Sequence, residues 1–214
     1  LTNGFFITFE GGEGGGKSTQ IKLLAAALQA QHRDVIMTRE PGGSVGAEEI
    51  RGLLLKGEPG RWDGATEMLL VYAARRDHVV QTVWPAMSAG KVVISDRFAD
   101  STMAYQGYGH GVDKDAVKAV HRAALGDFQP NLTLIFDLPV EIGLARAMAR
   151  PDMNKSAAED RYERMGHDFH ERLRQGFLAI AKAEPARCKV IDATQSMEAT
   201  HAQTLSAVLS VLDD

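Results

Sequence analysis

Phe5-Phe6-Ile7-Thr8-Phe9-Glu10, running directly into Gly11-Gly12-Glu13-Gly14-Gly15-Gly16-Lys17-Ser18-Thr19, decides the fold of this chain. The first half is an apolar run of strand formers, suited to a central parallel strand covered on both faces. The second half fits G-x-x-x-x-G-K-[S/T] without a gap, and beyond it Ile21, Leu24 and Leu28 recur at helical spacing. Strand, glycine-rich turn and helix in that order build an anion cradle. Glycines admit positive φ and let successive N–H groups converge on phosphate oxygens, and the helix dipole adds positive potential. In this geometry Lys17 reaches the β- and γ-phosphates of a nucleoside triphosphate, the Ser18 hydroxyl ligates Mg2+ and Thr19 is a supporting donor. A guanine reader of the form Asn-Lys-x-Asp is lacking, because Asn154-Lys155-Ser156-Ala157 has no Asp at its end, so a guanine-specific GTPase is not expected.

Outward from this stretch, short apolar runs at residues 34–38, 92–95, 132–137 and 189–192 alternate with helical patterns. Helices are expected over 66–83, stopping at Pro85, over 114–125 and 140–149, and near the C-terminus, where Leu205, Val208, Leu209 and Leu212 share a face. Together with residues 5–9 this predicts an α/β, three-layer fold with a five-stranded parallel sheet flanked by helices. No repeat or linker interrupts the 214 residues, so one domain is expected over 1–214. Within it, residues 146–174 are dense in charge and broken by Pro151 and Asn154, which suggests an embedded, mobile helical lid at about 146–165.

Charge and cysteine usage exclude whole classes of function. With 24 Lys and Arg against 28 Asp and Glu the formal charge is −4, which leaves no basic excess for a nucleic-acid polymer. No window approaches the ~18 apolar residues of a membrane span. The lone Cys188 makes neither an internal disulfide nor a multi-cysteine metal site; it reads as a buried thiol beside a strand in a cytoplasmic protein. His167 and His170 lie three apart without further ligands in reach, so a solvated helix face is expected there rather than a metal site.

The acceptor of the phosphoryl group is to be sought at the C-terminal ends of the strands, where open α/β sheets bind ligands. Val92-Val93-Ile94-Ser95-Asp96-Arg97-Phe98 puts a carboxylate and a guanidinium there. Asp96 is placed to support Mg2+, with a helix N-cap or a pair with Arg97 as its plainer roles, and Arg97 offers a planar fork to a second phosphate.

Five stretches carry a resemblance over essentially the whole chain: residues 9–19, Thr38-Arg39-Glu40-Pro41-Gly42-Gly43, Tyr72-Ala73-Ala74-Arg75, Asp96-Arg97-Phe98-Ala99-Asp100-Ser101 with Ala104-Tyr105-Gln106-Gly107, and Asp160-Arg161-Tyr162-Glu163. Together they resemble the thymidylate kinases of bacterial type, which are P-loop nucleoside monophosphate kinases. The resemblance implies ATP- and Mg2+-dependent phosphorylation of dTMP to dTDP, and a homodimer. It implies that Arg97 binds the dTMP phosphate, that Arg75 bonds the thymine carbonyl at position 4, and that Gln106, with Ser101 or Thr102, reads the remaining pyrimidine edge. By the same resemblance Tyr105 closes over the deoxyribose, Glu13 accepts from the 3′-OH, and Arg39 and Glu40 belong to the acceptor pocket, an ordinary surface ion pair being their other reading.

This sequence departs from the family at two places, Val71 and Met148, the latter standing in the lid where that group often has another arginine. The aromatic ring expected four residues before Arg75 is Val71 here, so either Tyr72 stacks on the base with a shifted ring or the base rests on aliphatic surface. Between Glu13 and Lys17 the loop holds only glycine, so the extra cation for phosphoryl transfer has to come from the lid, Arg150 first and Arg146 second. Two further readings stay open at this stage: a kinase of another nucleoside monophosphate or of a deoxynucleoside, and a P-loop ATPase acting through a partner.

Overall fold

A computed structural model describes residues 4–58, 60–149, 162 and 164–212. In chain order the elements are β1 (Phe5–Glu10), α1 (Lys17–Ala30), β2 (Val35–Arg39), α2 (Val45–Leu55), α3 (Gly64–His78), α4 (Trp84–Ser88), β3 (Val92–Asp96) and α5 (Ala99–Thr102). They continue with α6 (Lys114–Leu125), β4 (Leu132–Asp137), α7 (Val140–Met148), α8 (His167–Ala183), β5 (Cys188–Asp192) and α9 (Met197–Leu212). The five strands form one parallel sheet in the order β2-β3-β1-β4-β5, as the alternation of strand and helix patterns requires.

Residues alternate between the two faces of each strand, and both faces are buried. Ile7 and Phe9 of β1, Ile94 of β3 and Leu134 and Phe136 of β4 pack with Leu24 and Leu28 of α1 and Val208 of α9. Each fully buried leucine there contributes roughly 1.5–3 kcal/mol. On the opposite face, Phe6 and Val93 pack with Val79, Val83, Phe98 and Leu125, and Ile135 packs with Leu173 and Phe177 of α8. Helices therefore cover the sheet on both sides.

Three expectations are corrected. Pro85 does not end the third helix: a π-helical stretch, Val79–Val83, carries α3 into α4, and Trp84 N–H donates to Val79 O. The widened turn lets Pro85, which lacks an N–H, open α4 instead of breaking a 3.6-residue ladder. β2 begins at Val35 and takes in Arg39, one residue later than the apolar run suggests. His170 is buried, 4% exposed, so only His167, bonded to Glu141 at 2.8 Å, fits a solvated face. Cys188 is a buried thiol, as expected, within the first position of β5.

Candidate active site

The turn after β1 has the conformation its glycines permit. Gly11, Gly14 and Gly16 have φ of 123°, 70° and 78°. A Cβ on Gly14 would strike the Gly143 carbonyl of α7, and one on Gly11 the Phe136 carbonyl of β4, so the loop is pressed against neighbouring backbone at both points. Lys17 opens α1 and folds back, its Nζ donating to Gly12 O at 2.6 Å and Gly11 O at 3.1 Å. Burial, and next the Arg97 guanidinium, push its amine down to about 8. Ser18 Oγ lies 3.3 Å from Asp96 Oδ2.

Asp96 and Arg97 stand beside this loop because β1 and β3 are adjacent, with Phe9 paired to Asp96. Arg97 itself has φ of 73°, an unusual conformation for a residue with a side chain, and its N–H donates to Phe9 O at 2.9 Å. The turn is held from below by the buried Glu10, whose Oε1 accepts from Phe98 N–H at 2.7 Å and whose Oε2 accepts from Ser101 Oγ. Burial and the neighbouring Asp100 carboxylate push the Glu10 carboxyl well up. So aimed, Arg97 donates through Nη1 to Gly11 O at 2.9 Å and Ser101 Oγ at 3.3 Å, and through Nη2 to Glu13 Oε1 at 2.8 Å. Tyr105 OH donates to the same Glu13 oxygen at 2.9 Å, and the Arg97 guanidinium sits over the Tyr105 ring at 5.1 Å.

Past Arg97 opens a cavity of about 180 Å³, walled by Glu13, Glu40, Pro41, Arg51, Leu55, Val71, Arg75, Phe98, Ser101, Thr102, Tyr105, Gln106 and Tyr162 as well as Arg97. Arg75 is 1% exposed and held through two of its three nitrogens: Nε donates to Glu40 Oε2 at 2.7 Å, and Nη2 to Phe98 O and Thr102 Oγ1, both at 3.0 Å. The Tyr72 and Phe98 rings lie 4.7 and 5.0 Å from its guanidinium carbon. Its Nη1 is buried with no partner among the described residues, and so is Gln106 Oε1.

A triphosphate cradle with a cation-lined second cavity beside it is the layout of a kinase for a small phosphorylated acceptor. The thymidylate kinase family model matches residues 9–204. The chain belongs to the thymidylate kinase family. It is 52% identical over 212 residues to the thymidylate kinase of Caulobacter vibrioides, covering 99% of each chain, and 47% identical to that of Ruegeria pomeroyi, covering 98% and 97%. Its fold is similar to a crystal structure of thymidylate kinase from Ehrlichia chaffeensis, with 36% identity and a TM-score of 0.76 over 96% of this chain and 98% of that one. The α/β P-loop architecture is thus that of the family.

Within this thymidylate kinase fold, the expected residues Glu13, Glu40, Arg75, Arg97, Ser101, Thr102, Tyr105 and Gln106 come together in one cavity wall. Tyr72 and Arg39 do not join them. Tyr72 packs with Met68 and Val117 on the far side of Arg75, while Val71 takes the place in the wall. Arg39 donates to both oxygens of Glu48 at 3.1 Å, an exposed pair. Arg146 donates to Ala193 O at 2.7 Å, in the loop after β5, and Arg150 lies outside the described residues. Sequence reasoning missed Arg51, whose Nη1 donates to Pro41 O at 2.8 Å, and the wall residues Leu55 and Phe98. Arg51 sits in α2, a helix that the apolar pattern does not announce, so no spacing rule reaches it.

Proposed function

We propose that this chain transfers the γ-phosphoryl group of ATP to the phosphate of dTMP, giving dTDP and ADP. The observation that carries this reading is the pair of buried, unpartnered atoms, Arg75 Nη1 and Gln106 Oε1, in one cavity wall with Arg97. A fixed donor beside a free acceptor suits the C4 carbonyl and N3–H of thymine, and a guanidinium in the same wall suits its phosphate.

Transfer requires that a dTMP phosphate oxygen approach the γ-phosphorus in line. The new P–O bond forms as the bond to the β–γ bridging oxygen breaks, and ADP leaves with that electron pair. No proton need move, so the work is alignment and charge neutralisation. Lys17 exchanges its two loop carbonyls for phosphate oxygens, and Arg97, backed by Glu13, holds the acceptor phosphate. Glu13 then faces the 3′-OH and Tyr105 the deoxyribose. With Val71 in the wall and Tyr72 behind Arg75, the base rests on aliphatic surface, bounded by Phe98.

Ser18 Oγ and Asp96 Oδ2 form an all-oxygen pair, exposed enough to leave room for water, and this fits Mg2+. Bound there, the ion supplies neutralisation of the β- and γ-phosphate charge. Gly11, Gly12, Gly14, Gly15 and Gly16 provide the backbone cradle, with Thr19 at its edge. A lid role for about 146–165, with Arg150 or Arg146 as the further cation, rests on the all-glycine loop between Glu13 and Lys17. We further propose one domain, a homodimer and a cytoplasmic location. The dimer is supported by the exposed Val45, Leu53 and Leu69 on α2 and α3, and the location by the free Cys188 thiol.

The test is ADP formation from ATP and Mg2+ with dTMP, dUMP, dCMP, dGMP, AMP, thymidine or no acceptor, repeated with Arg97→Ala. Preference for dTMP that collapses roughly a hundredfold or more in the variant is expected. Turnover that favours thymidine, or is the same without acceptor, would overturn the reading.

A further inference from the structure

Glu67, in the first turn of α3, is fully buried, and the phosphoryl-transfer chemistry makes no use of it. Its Oε2 accepts from Gln106 Nε2 at 3.1 Å and from Tyr162 OH at 3.1 Å, and His110 Nε2 lies 3.4 Å away. Gln106 and Tyr162 both line the acceptor cavity, and the Tyr162 ring stands edge-on to Tyr105 at 5.2 Å. One carboxylate oxygen on α3 therefore sits behind the cavity wall and gathers Gln106 of the π-helical stretch Met103–Gly109, Tyr162 and, at longer range, His110.

A glutamine amide is nearly symmetric in shape, and turning it over exchanges a donor for an acceptor at little steric cost. What fixes its orientation is the partner at its other end. Glu67 Oε2 accepts from the NH2 group of Gln106, which leaves the carbonyl oxygen of the amide to another partner. That oxygen is the buried, unpartnered Oε1 described above.

We infer that Glu67 is a specificity-determining positioning residue: by holding Gln106 Nε2 it commits the amide to present an acceptor, and so selects a pyrimidine that carries N3–H over one whose N3 is itself an acceptor. The inference rests on the dTMP reading and deepens it. Arg75 cannot change its donor character, whereas Gln106 can, so discrimination against cytosine at this position depends on a residue that never touches the ligand. Relieved of Glu67, the amide turns to suit either ring.

The experiment measures competition of dCMP against dTMP, together with kcat and KM for dTMP, in the parent chain and in Glu67→Gln and Glu67→Met. The ratio of dCMP to dTMP dissociation constants is expected to fall roughly tenfold in both variants, with KM for dTMP rising more than kcat falls. In a Gln106→Ala background the same Glu67 substitutions are expected to leave the ratio unmoved. Glu67→Met, of similar length and without an amide of its own, serves if Glu67→Gln does not fold. A ratio unchanged in the folded variant, with dTMP turnover intact in the parent, overturns the inference alone. A parent chain that does not phosphorylate dTMP overturns the reading beneath it.

Discussion

Arg75 and Glu40 form an ion pair at 2.7 Å with side chains only 1% and 2% exposed, so the donor of the proposed base-reading site is charged, buried and held by the residue that follows β2. Such a pair is worth little beyond a well-packed apolar substitute, but breaking it leaves an uncompensated charge inside the protein. Glu40 also binds His78 Nδ1 through its other oxygen at 2.8 Å. Glu40→Ala is therefore expected to cost roughly 3–5 kcal/mol of stability by chemical denaturation and to weaken dTMP binding. A loss below about 1 kcal/mol would show that Arg75 finds water or another partner.

The glycines of the first loop divide into two kinds. Gly14, at φ 70° and against the Gly143 carbonyl, has no room for a side chain, whereas a Cβ on Gly12 meets nothing within 4 Å. Gly14→Ala is expected to lower stability by about 2 kcal/mol or more. Gly12→Ala is expected to leave the melting temperature nearly unchanged while weakening ATP, because its methyl group enters the space of the phosphates. Equal effects of the two on stability would contradict this division.

Lys17 gives a pH dependence of defined sign. Its amine is pushed from an ordinary 10.5 down to about 8, so between those values the unfolded chain holds more protons than the folded one. Stability from this group therefore rises with pH across that interval, and the cost of burying the charge is fully present below pH 8. Lys17→Met is expected to be more stable than the parent at pH 7, by about 2 kcal/mol, with the advantage vanishing above the upper end of the interval and ATP turnover lost throughout. A variant no more stable at pH 7 would refute the argument.

Burial first, and the Asp100 carboxylate next, push the Cys188 thiol up to about 12. The thiolate is the reactive form, so a disulfide reagent at pH 8 is expected to label the native chain far more slowly than the chain in denaturant. Rapid native labelling would mean that β5 opens readily.

Much of the fold is legible because its cause is local. The apolar runs of β1 and β4 announce two-sided burial, and Leu24 and Leu28 announce a face. α2 escaped because Gly46 and Gly52 interrupt it at a cost in helix propensity, and the π-helical stretches because no 3.6-residue pattern encodes a wider turn. Within the site, the residues from Asp96 to Gln106 were legible as motifs, yet where Tyr72 sits was not: one residue of helical rotation separates the cavity wall at Val71 from the core behind Arg75. Glu67 gave no signal at all, since an acid in a first helical turn already has an ordinary explanation in the helix dipole.

The adjacency of β1 and β3 has a metrical consequence. Hydrogen-bonded strands lie about 4.8 Å apart, and that spacing is a property of the peptide group rather than of any side chain. The Phe9–Asp96 pairing anchors the turn that carries Lys17 to the one that carries Arg97, so in the proposed reaction the gap between donor and acceptor phosphates is gauged by the sheet itself. A change in a wall residue such as Val71 then leaves that gap as it is, because its side chain takes no part in the spacing of the strands.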